Sequence, residues 1–307
     1  MKDNNINIGI ICNNGFAQHL GVTLFSMFEN CSAPNMIRLF ILDDEISSEN
    51  KKKLDIIISK FKAKAEYLKP DKSNVEGLKS HRHFGKETYY KFSLFDSIKV
   101  PRILYIDGDL VIKGDIKELF NTPMNGKVLM AVKNFGIKEK EKERLGIPKS
   151  GYYFNAGVLL IDSEKWRKEK ITNRAIKYIK DNYDTIQLAD QEAMNATLKN
   201  EWGQLDPSWN LFSKMAFYRF LPFLKVPDYE NENINRLFNN PKIIHYAGFV
   251  KPWHLFDFCP YKMEYLYYLR KTPWKDYKYV DLTFDGLKKR VFFYKDFITS
   301  FISNPYI

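Results

Sequence analysis

The sequence has few of the residues and runs that mark several large classes of protein. It has three cysteines, an odd number without metal-ligand spacing, which argues against both a disulfide framework and a zinc-cysteine site. No apolar run approaches the roughly 18 residues of a membrane-spanning helix. The apolar stretch near the N-terminus is too short and too interrupted for a signal peptide. We therefore predict a cytoplasmic protein with reduced thiols.

Hydrophobic and aromatic residues are abundant, at 45% and 16% of 307 residues. This supports one large domain, or one domain with an appendage. The net charge of +11 is compatible with an anionic membrane, a phosphorylated substrate or nucleic acid, and equally with lysines spread over solvated faces. No recognised motif organises the basic residues for nucleic acid, so nucleic-acid binding is not predicted.

Strand-like and helix-like segments alternate along the first 135 residues. Strands are predicted at 5–12, 37–44, 65–68 and 127–132, with another that begins at 103, and later at 152–162 and 242–248. Helices are predicted over 164–181 and 188–199. This alternation predicts an α/β fold, with a mixed, mostly parallel sheet flanked by helices. Ligands bind such sheets at the carboxyl ends of strands, where Asn13, Asn14 and the Asp107-Gly108-Asp109 turn are expected.

The segment "ILYIDGDLVI" (103–112) places two acids inside what reads as one buried strand. Residues two apart in an extended chain point the same way, so Asp107 and Asp109 could reach one ion, and Gly108 would let a ligand approach closely. Oxygen ligands suit Mg²⁺ or Mn²⁺, and an imidazole from His245 would favour Mn²⁺. The alternatives are a solvent-facing turn for the two acids and an ordinary core histidine.

Three further groups of residues carry weaker signals. Small residues with one amide, Asn155 and Ala156, precede a buried run and could admit a polyol or simply form a turn. Asp190 lies near a helix start, where an acid is also a favourable dipole partner. Gly248 followed by Lys251 suits phosphate binding, or Lys251 is an ordinary surface lysine.

Four motifs in order, "ILYIDGDLVI", "YYFNAGVLLIDSEKWR", "ADQEAMN" and "HYAGFVKPWH", resemble glycosyltransferase family 8 over about residues 6–275. That family includes the bacterial lipopolysaccharide galactosyl- and glucosyltransferases and, more distantly, glycogenin. The resemblance implies a GT-A nucleotide-diphospho-sugar transferase fold, which we assign to residues 1–260, followed by an aromatic and basic helical extension at 261–307. It also implies retaining transfer of a hexose from UDP-galactose or UDP-glucose, with Mn²⁺ or Mg²⁺, to a saccharide acceptor such as lipopolysaccharide or another cell-surface glycan.

The resemblance also assigns roles to individual residues. It implies metal ligation by Asp107, Asp109 and His245; a donor-sugar pocket of Asn155, Ala156, Asp190 and Gln191; diphosphate contacts from Gly248 and Lys251; and nucleoside contacts from Asn13 and Asn14. It also implies donor contacts from Lys91, Gly108 and Asn134. The family galactosyltransferases tend to carry acids where Asn13 and Asn14 stand, an arginine at Lys91, and at Asn134 an aspartate that approaches the sugar. Asparagine still accepts hydrogen bonds, but a lysine cannot form a bidentate fork.

Retention requires either a covalent intermediate or attack on the face that the diphosphate leaves. The resemblance places Gln191 near the anomeric carbon, and an amide is a poor nucleophile. It gives Asp190 a hydrogen-bonding role toward the sugar hydroxyls, so front-face attack is predicted.

The tail at 287–302 interleaves basic and aromatic residues and is predicted to contact anionic lipid at the inner face of the cell membrane, or else to dock on the domain. Two other functions stay open. One is a non-catalytic UDP-sugar-binding protein, and the other is a haloacid-dehalogenase-type phosphatase.

Overall fold

The computed structural model describes residues 5–71, 89–135, 137–199, 201–219, 231–248, 250–279, 281–288 and 290–291. The strands are β1 (Ile6–Asn13), β2 (Ile37–Asp44), β3 (Lys64–Leu68), β4 (Arg102–Ile106), β5 (Leu110–Ile112), β6 (Leu129–Lys133), β7 (Phe154–Asp162), β8 (Trp202–Gln204), β9 (Leu211–Phe212) and β10 (Ile243–His245). The helices are α1 (Ala17–Glu29), α2 (Ser48–Lys60), α3 (Tyr90–Ser97), α4 (Ile116–Phe120), α5 (Glu139–Arg144), α6 (Ser163–Lys168), α7 (Ile171–Asp181), α8 (Ala189–Leu198), α9 (Asn231–Asn239) and α10 (Lys262–Leu269). Short 3-10 turns cover Asn14–Phe16, Pro34–Met36, Pro207–Asn210 and Ser213–Arg219.

A seven-stranded sheet in the order β3-β2-β1-β4-β7-β6-β8 forms the centre of the molecule. β7 runs antiparallel to both of its neighbours, and the other adjacent pairs are parallel. The predicted mixed, mostly parallel sheet is therefore confirmed. Because β7 is reversed, it begins at the edge where β1, β4 and β6 end, and one edge of the sheet collects the polar residues from all four strands.

The central strands are buried on both faces, which explains why they read as continuous apolar runs rather than alternating ones. In β4, Leu104 and Ile106 pack into one core with α1 and α2, while Ile103 and Tyr105 pack into the other with α3, α7 and α8. The start of α2 also follows from local sequence, because the Ser47 side chain accepts a hydrogen bond from Asn50 N.

The segment 103–112 is not one strand, in contrast to the sequence interpretation. β4 ends at Ile106, the chain bends through Asp107–Asp109, and β5 joins a second sheet of order β5-β10-β9. The Thr23 hydroxyl of α1 fixes the bend, because it contacts the carbonyl oxygens of Gly108 and Leu110 at 2.9 Å each. β10 runs antiparallel to β5 with His245 opposite Leu110, which brings His245 to the two acids.

Two other features of the chain depart from or extend the predictions. The predicted helix over 164–181 is divided between α6 and α7, because Lys170 adopts a left-handed conformation with φ of 53°. In the predicted extension, Tyr265, Tyr268 and Leu269 of α10 pack in the core beside α1. The boundary at residue 260 stays a prediction, and most of the tail at 287–302 lies outside the described residues. Among the residues described, no helix combines the length and apolarity needed to cross a membrane.

Candidate active site

The bend after β4 and the end of β10 bring together two carboxylates and an imidazole. One ligand atom each from Asp107, Asp109 and His245 lies within 4.8 Å of the others. His245 Nε2 is 3.4 Å from Asp109 Oδ1 and 3.8 Å from Asp107 Oδ2. Asp109 and His245 are buried, whereas 28% of the Asp107 side chain is exposed. The three residues that the resemblance assigned to a metal thus converge at one point, and the partly open carboxylate leaves a route to solvent.

Gly157 of β7 makes this convergence possible. A Cβ atom at this position would lie 2.3 Å from His245 Cε1 and 2.9 Å from Asp107 Oδ2, distances that real Cβ atoms do not adopt. The Gly157 carbonyl also accepts a hydrogen bond from Asp107 N at 2.9 Å. The glycine therefore places its backbone directly against two of the three candidate ligands. The sequence pointed to small residues here, and the packing gives the reason.

Lys251 contacts the second oxygen of Asp109. Its Nζ atom is 2.8 Å from Asp109 Oδ2 and 2.7 Å from the Tyr246 carbonyl oxygen. Burial opposes ionisation of Asp109, but attractions led by the Lys251 ammonium outweigh it and hold the pKa of Asp109 well below its usual range. Asp109 is therefore ionised near neutral pH. Lys251, predicted to contact a diphosphate, already lies at the site.

Lys91 of α3 lies on the opposite side of Asp107. Its buried Nζ atom is 2.8 Å from Asp190 Oδ2, 3.4 Å from Asp107 Oδ1 and 3.1 Å from the Ala156 carbonyl oxygen. Burial would lower the pKa of Lys91, but the two carboxylates raise it above its ordinary value. One ammonium group therefore serves two acids from different elements, a contact that the sequence did not predict.

Gln191 of α8 is fixed against the start of β7. Its Oε1 atom accepts hydrogen bonds from Asn155 Nδ2 at 2.8 Å and from Ala156 N at 3.0 Å. Asp190, Gln191, Asn155 and Ala156, predicted to form a donor-sugar pocket, thus form one connected group. It adjoins the acids through Lys91, which contacts both Asp190 and Asp107.

Asn210 is a buried site residue that the sequence did not reveal. It is the last residue of the 3-10 turn Pro207–Asn210, and no motif or periodicity in the sequence marks it. Its Nδ2 atom is 2.8 Å from Asn155 Oδ1, and its Oδ1 atom is 2.9 Å from His245 Nδ1. Asn210 therefore links the Gln191 group to the metal candidate.

The two asparagines at the end of β1 lie at the predicted edge of the sheet, but both use their amide oxygens locally. Asn13 Oδ1 accepts from Phe16 N at 3.0 Å. Asn14 Oδ1 accepts from Ser47 N and from Asn50 Nδ2, both at 2.9 Å. These contacts tie the β1 turn to the start of α2. Their predicted contact with uracil or ribose stays a prediction.

Three other predicted residues have plain structural settings. Asn134 follows β6 at the same edge and donates its N–H to the Tyr153 carbonyl oxygen at 2.7 Å. Gly248 is exposed with φ of 89°, a conformation that favours glycine, and nothing lies within 4 Å of a Cβ built there. Gly108 packs against the Phe16 ring, which would be 3.2 Å from a Cβ. The predicted ligand contacts of all three residues stay predictions.

The charges around the bend do not balance. The carboxylates of Asp107, Asp109 and Asp190 are accompanied by the ammonium groups of Lys91 and Lys251. Two of these carboxylates also face the same edge of an imidazole. A divalent cation fits this donor set in charge and in ligand type, because carboxylate oxygens with one imidazole suit Mn²⁺. The arrangement can hold an anionic, metal-bound ligand beside a group of amides.

Comparison with known proteins gives a consistent result. Residues 7–256 match the family described as glycosyl transferase family 8. General stress protein A of Bacillus subtilis (strain 168) is 33% identical over 280 residues, which cover 89% of this chain and 96% of that protein. Lipopolysaccharide 1,2-glucosyltransferase of Escherichia coli (strain K12) is 32% identical over 198 residues, which cover 63% of this chain and 56% of that protein.

Solved structures agree on the fold. The galactosyltransferase LgtC, crystallised with donor and acceptor sugar analogues, gives a TM-score of 0.74 at 23% identity and covers 87% of this chain and 96% of its own. An active-site mutant of LgtC gives a TM-score of 0.75 at 21% identity, with the same coverage. At these identities the likeness concerns the fold alone, and it confirms the predicted GT-A architecture.

Proposed function

The chain belongs to glycosyltransferase family 8, and we propose that it transfers a hexose, galactose or glucose, from a UDP-sugar to a saccharide acceptor with a divalent cation. One observation carries this proposal. Asp107, Asp109 and His245 converge to within 4.8 Å, and Asn210 joins His245 to the buried amides of Asn155 and Gln191. A cation-binding group and a sugar-binding group therefore adjoin each other.

The proposed acceptor is lipopolysaccharide or another cell-surface glycan. Support comes from the names of relatives, which include the lipopolysaccharide 1,2-glucosyltransferase of Escherichia coli and a lipopolysaccharide 1,3-galactosyltransferase of Salmonella typhimurium, 27% identical over 243 residues. The match covers 56% of the first and 69% of the second. The relative that matches over nearly its whole length is named for stress, not for a substrate.

The residues around the bend would divide the work on the donor. Asp107, Asp109 and His245 would hold the cation, and Lys251 would turn from Asp109 toward a phosphate oxygen, with Gly248 beside it. When bound, a divalent cation neutralises charge that develops on the departing diphosphate. Lys251 adds a second positive charge there. The Lys91 ammonium, buried between Asp107 and Asp190, would hold both carboxyl groups in place.

We propose front-face attack with retention at the anomeric carbon. Asp190 is buried and paired with Lys91 at 2.8 Å, which favours its role as a hydrogen-bond acceptor for sugar hydroxyls over that of a nucleophile. Gln191 Oε1 is held by Ala156 N and Asn155 Nδ2, so its dipole is oriented before the donor arrives. The leaving diphosphate would take the proton of the attacking hydroxyl. Mass-spectrometric detection of a glycosylated Asp190 would contradict this proposal.

Metal-dependent release of UDP tests the proposed function. UDP-glucose, UDP-galactose and UDP-N-acetylglucosamine are supplied in turn, with Mn²⁺, with Mg²⁺ and with EDTA. We expect one UDP-hexose to release UDP faster than the others, and only when a cation is present. Full transferase activity of the EDTA-treated protein would rule out the metal assignment.

A second candidate is a UDP-sugar-binding protein without turnover. The observation that favours it is the local use of both amide oxygens at Asn13 and Asn14, which reduces what these residues can offer to a nucleoside. Tight UDP binding without release of UDP from any UDP-sugar would support it. The phosphatase alternative has lost its basis, because the family match spans residues 7–256 and includes the Asp107–Asp109 segment.

We also propose that the tail contacts anionic membrane. Of residues 287–302, the structure describes 287, 288, 290 and 291. Just before and within the tail, Phe284 is 83% exposed and Val291 is 60% exposed, and apolar side chains that face solvent suit an interfacial segment. Co-sedimentation with anionic liposomes should fall when residues 285–307 are deleted. Unchanged co-sedimentation would contradict the proposal.

A further inference from the structure

Three amide side chains connect the sugar-binding group to the candidate metal ligand. Gln191 contacts Asn155, Asn155 contacts Asn210, and Asn210 contacts His245, with polar atoms 2.8–2.9 Å apart at each step. Asn155, Asn210 and His245 are all at least nine-tenths buried. Buried polar groups are costly unless they are matched, so the direction of each hydrogen bond in this series has consequences for the next.

Backbone N–H groups set the directions. Gly157 N donates to Asn155 Oδ1 at 2.9 Å, and Ala156 N donates to Gln191 Oε1 at 3.0 Å. A backbone N–H can only donate, so these two contacts orient both side-chain amides. Asn155 Oδ1 is then an acceptor for Asn210 as well, and Asn210 must present its Nδ2 group to it. Asn210 Oδ1 is left facing His245 Nδ1.

This orientation decides the tautomer of His245. Because Asn210 Oδ1 can only accept, the proton of a neutral His245 lies on Nδ1. Nε2 then carries the lone pair and points toward Asp107 and Asp109. A lone pair directed at two carboxylates is unfavourable unless a cation lies between them, so this tautomer is the one that prepares the imidazole for a metal.

We propose that Asn210 is a positioning residue that holds His245 in the Nδ1–H tautomer, so that Nε2 is ready for a divalent cation, and that it couples the ring to Asn155 and Gln191. The proposal rests on the cation site of the proposed function. Partners of this kind fix ring orientation, and their loss typically weakens metal binding by about 10–100-fold.

The tautomer can be measured without metal and without turnover. Long-range ¹H–¹⁵N NMR of histidine-labelled, EDTA-treated protein distinguishes the two ring nitrogens, and the His245→Gln variant identifies the signal. We expect a proton on Nδ1 in the wild type, whether or not Nε2 also carries one in the absence of metal, and a smaller fraction of Nδ1–H in Asn210→Ala. A wild-type ring without a proton on Nδ1 would overturn the proposal whether or not Asn210→Ala folds.

Affinity for Mn²⁺ alone, followed by electron paramagnetic resonance, separates the two halves of the proposal. Asn210→Ala should weaken binding by about 10–100-fold. Asn210→Asp keeps an oxygen for His245 Nδ1–H but turns another oxygen toward Asn155 Oδ1. It should therefore bind Mn²⁺ at least as tightly as the wild type, yet turn over more slowly at saturating metal.

Asn30→Ala is the matched control. Asn30 Nδ2 contacts the Ser26 and Ile112 carbonyl oxygens and the Tyr268 hydroxyl, at the far end of β5 from His245. It should leave Mn²⁺ affinity unchanged. Equal weakening in Asn30→Ala and Asn210→Ala would reduce Asn210 to a structural role and overturn the proposal. A wild type that binds no Mn²⁺ would instead contradict the metal assignment, and the tautomer measurement would still test Asn210.

Discussion

Asp190 and Glu192 lie two residues apart on α8, and both are buried, at 5% and 1% exposure, yet their surroundings differ. Each carboxylate oxygen of Glu192 accepts two hydrogen bonds. One oxygen accepts from Arg144 Nη1 at 2.8 Å and from the Tyr178 hydroxyl at 3.2 Å, and the other accepts from the backbone N–H groups of residues 187 and 188. Asp190 shares a single ammonium, that of Lys91, with Asp107.

The difference shows that burial of charge alone does not identify a functional site. Glu192 ties the Arg144 end of α5 and the turn before α8 to the helix, and its matched donors leave nothing for a ligand to supply. Around Asp107 the shared ammonium and the facing imidazole leave negative charge uncompensated. A deficit of this kind is costly to folding but is what a cation and a substrate can repair.

The largest expected effect is at Asp109, which belongs to the group of acids around Asp107 whose negative charge is not compensated. Asp109→Ala removes one candidate cation ligand, so turnover should fall by about three decades or more, since several kcal/mol of charge stabilisation are lost. Stability should fall as well, because the substitution leaves Lys251 without the carboxylate that it contacts at 2.8 Å. UDP release and urea denaturation measure the two quantities. Near-normal turnover in Asp109→Ala would contradict the proposed functional role of the acids around Asp107.

Glu192 is the acid whose hydrogen-bond donors are complete, so Glu192→Ala should act mainly on stability. It leaves Arg144 and two backbone N–H groups without their carboxylate, and breaking a buried pair of this kind costs about 3 kcal/mol of unfolding free energy. Glu139→Ala on α5 is the control, because the Glu139 side chain is 64% exposed and its pair with Lys142 should contribute less than about 1 kcal/mol. Equal losses in the two variants would show that Glu192 is not matched as tightly as its contacts indicate.

Gln191 lies between Asp190 and Glu192 in sequence, and its substitution tests whether it affects activity, as expected for Asp190, or stability, as expected for Glu192. Gln191→Ala removes an oriented dipole but no charge and no nucleophile, so activity should fall by about one to two decades and still retain configuration. Product stereochemistry by NMR and the rate of UDP release measure this. Complete loss of activity, or an inverted product, would contradict front-face attack.

Much of the fold could be predicted because the central strands are apolar on both faces. β2 was predicted with its observed bounds, Ile37–Asp44, and the mixed, mostly parallel α/β sheet is confirmed, while ligand binding at its edge stays a prediction. The break after Ile106 was not predictable, because β5 is recruited into the second sheet by β10, over 130 residues away. Likewise, the left-handed Lys170 that divides α6 from α7 has no signal in local periodicity.

The site was predictable only where residues belong to a recognisable motif. The proximity of Asp107, Asp109 and His245 matches the family resemblance, although their metal role is still to be tested. Lys91 was predicted to contact the donor, and its buried contact with two acids depends on how α3 packs against β4 and α8. Asn210 carries no local signal, because its importance comes from contacts with residues 55 positions before it and 35 after it.

His19 of α1 extends the comparison to a buried group that is kept neutral, and it carries the smallest effect. Its Nδ1 is 2.7 Å from the Tyr265 hydroxyl, and its ring stacks on Trp253. Burial lowers the pKa of His19 from 6.5 to about 3. The folded protein thus keeps His19 neutral at pH values where the unfolded chain takes up a proton, so stability is lost as pH falls below about 6.5.

Between pH 7 and pH 5.5 the free energy of unfolding should fall by about 1 kcal/mol on this account, since one pKa unit corresponds to about 1.36 kcal/mol. Urea denaturation at both pH values measures the loss, and His19→Gln isolates it from the other histidines because glutamine does not titrate. If His19→Gln loses as much unfolding free energy between pH 7 and pH 5.5 as the wild type, the loss does not come from His19. The packing around His19 would then not hold it neutral.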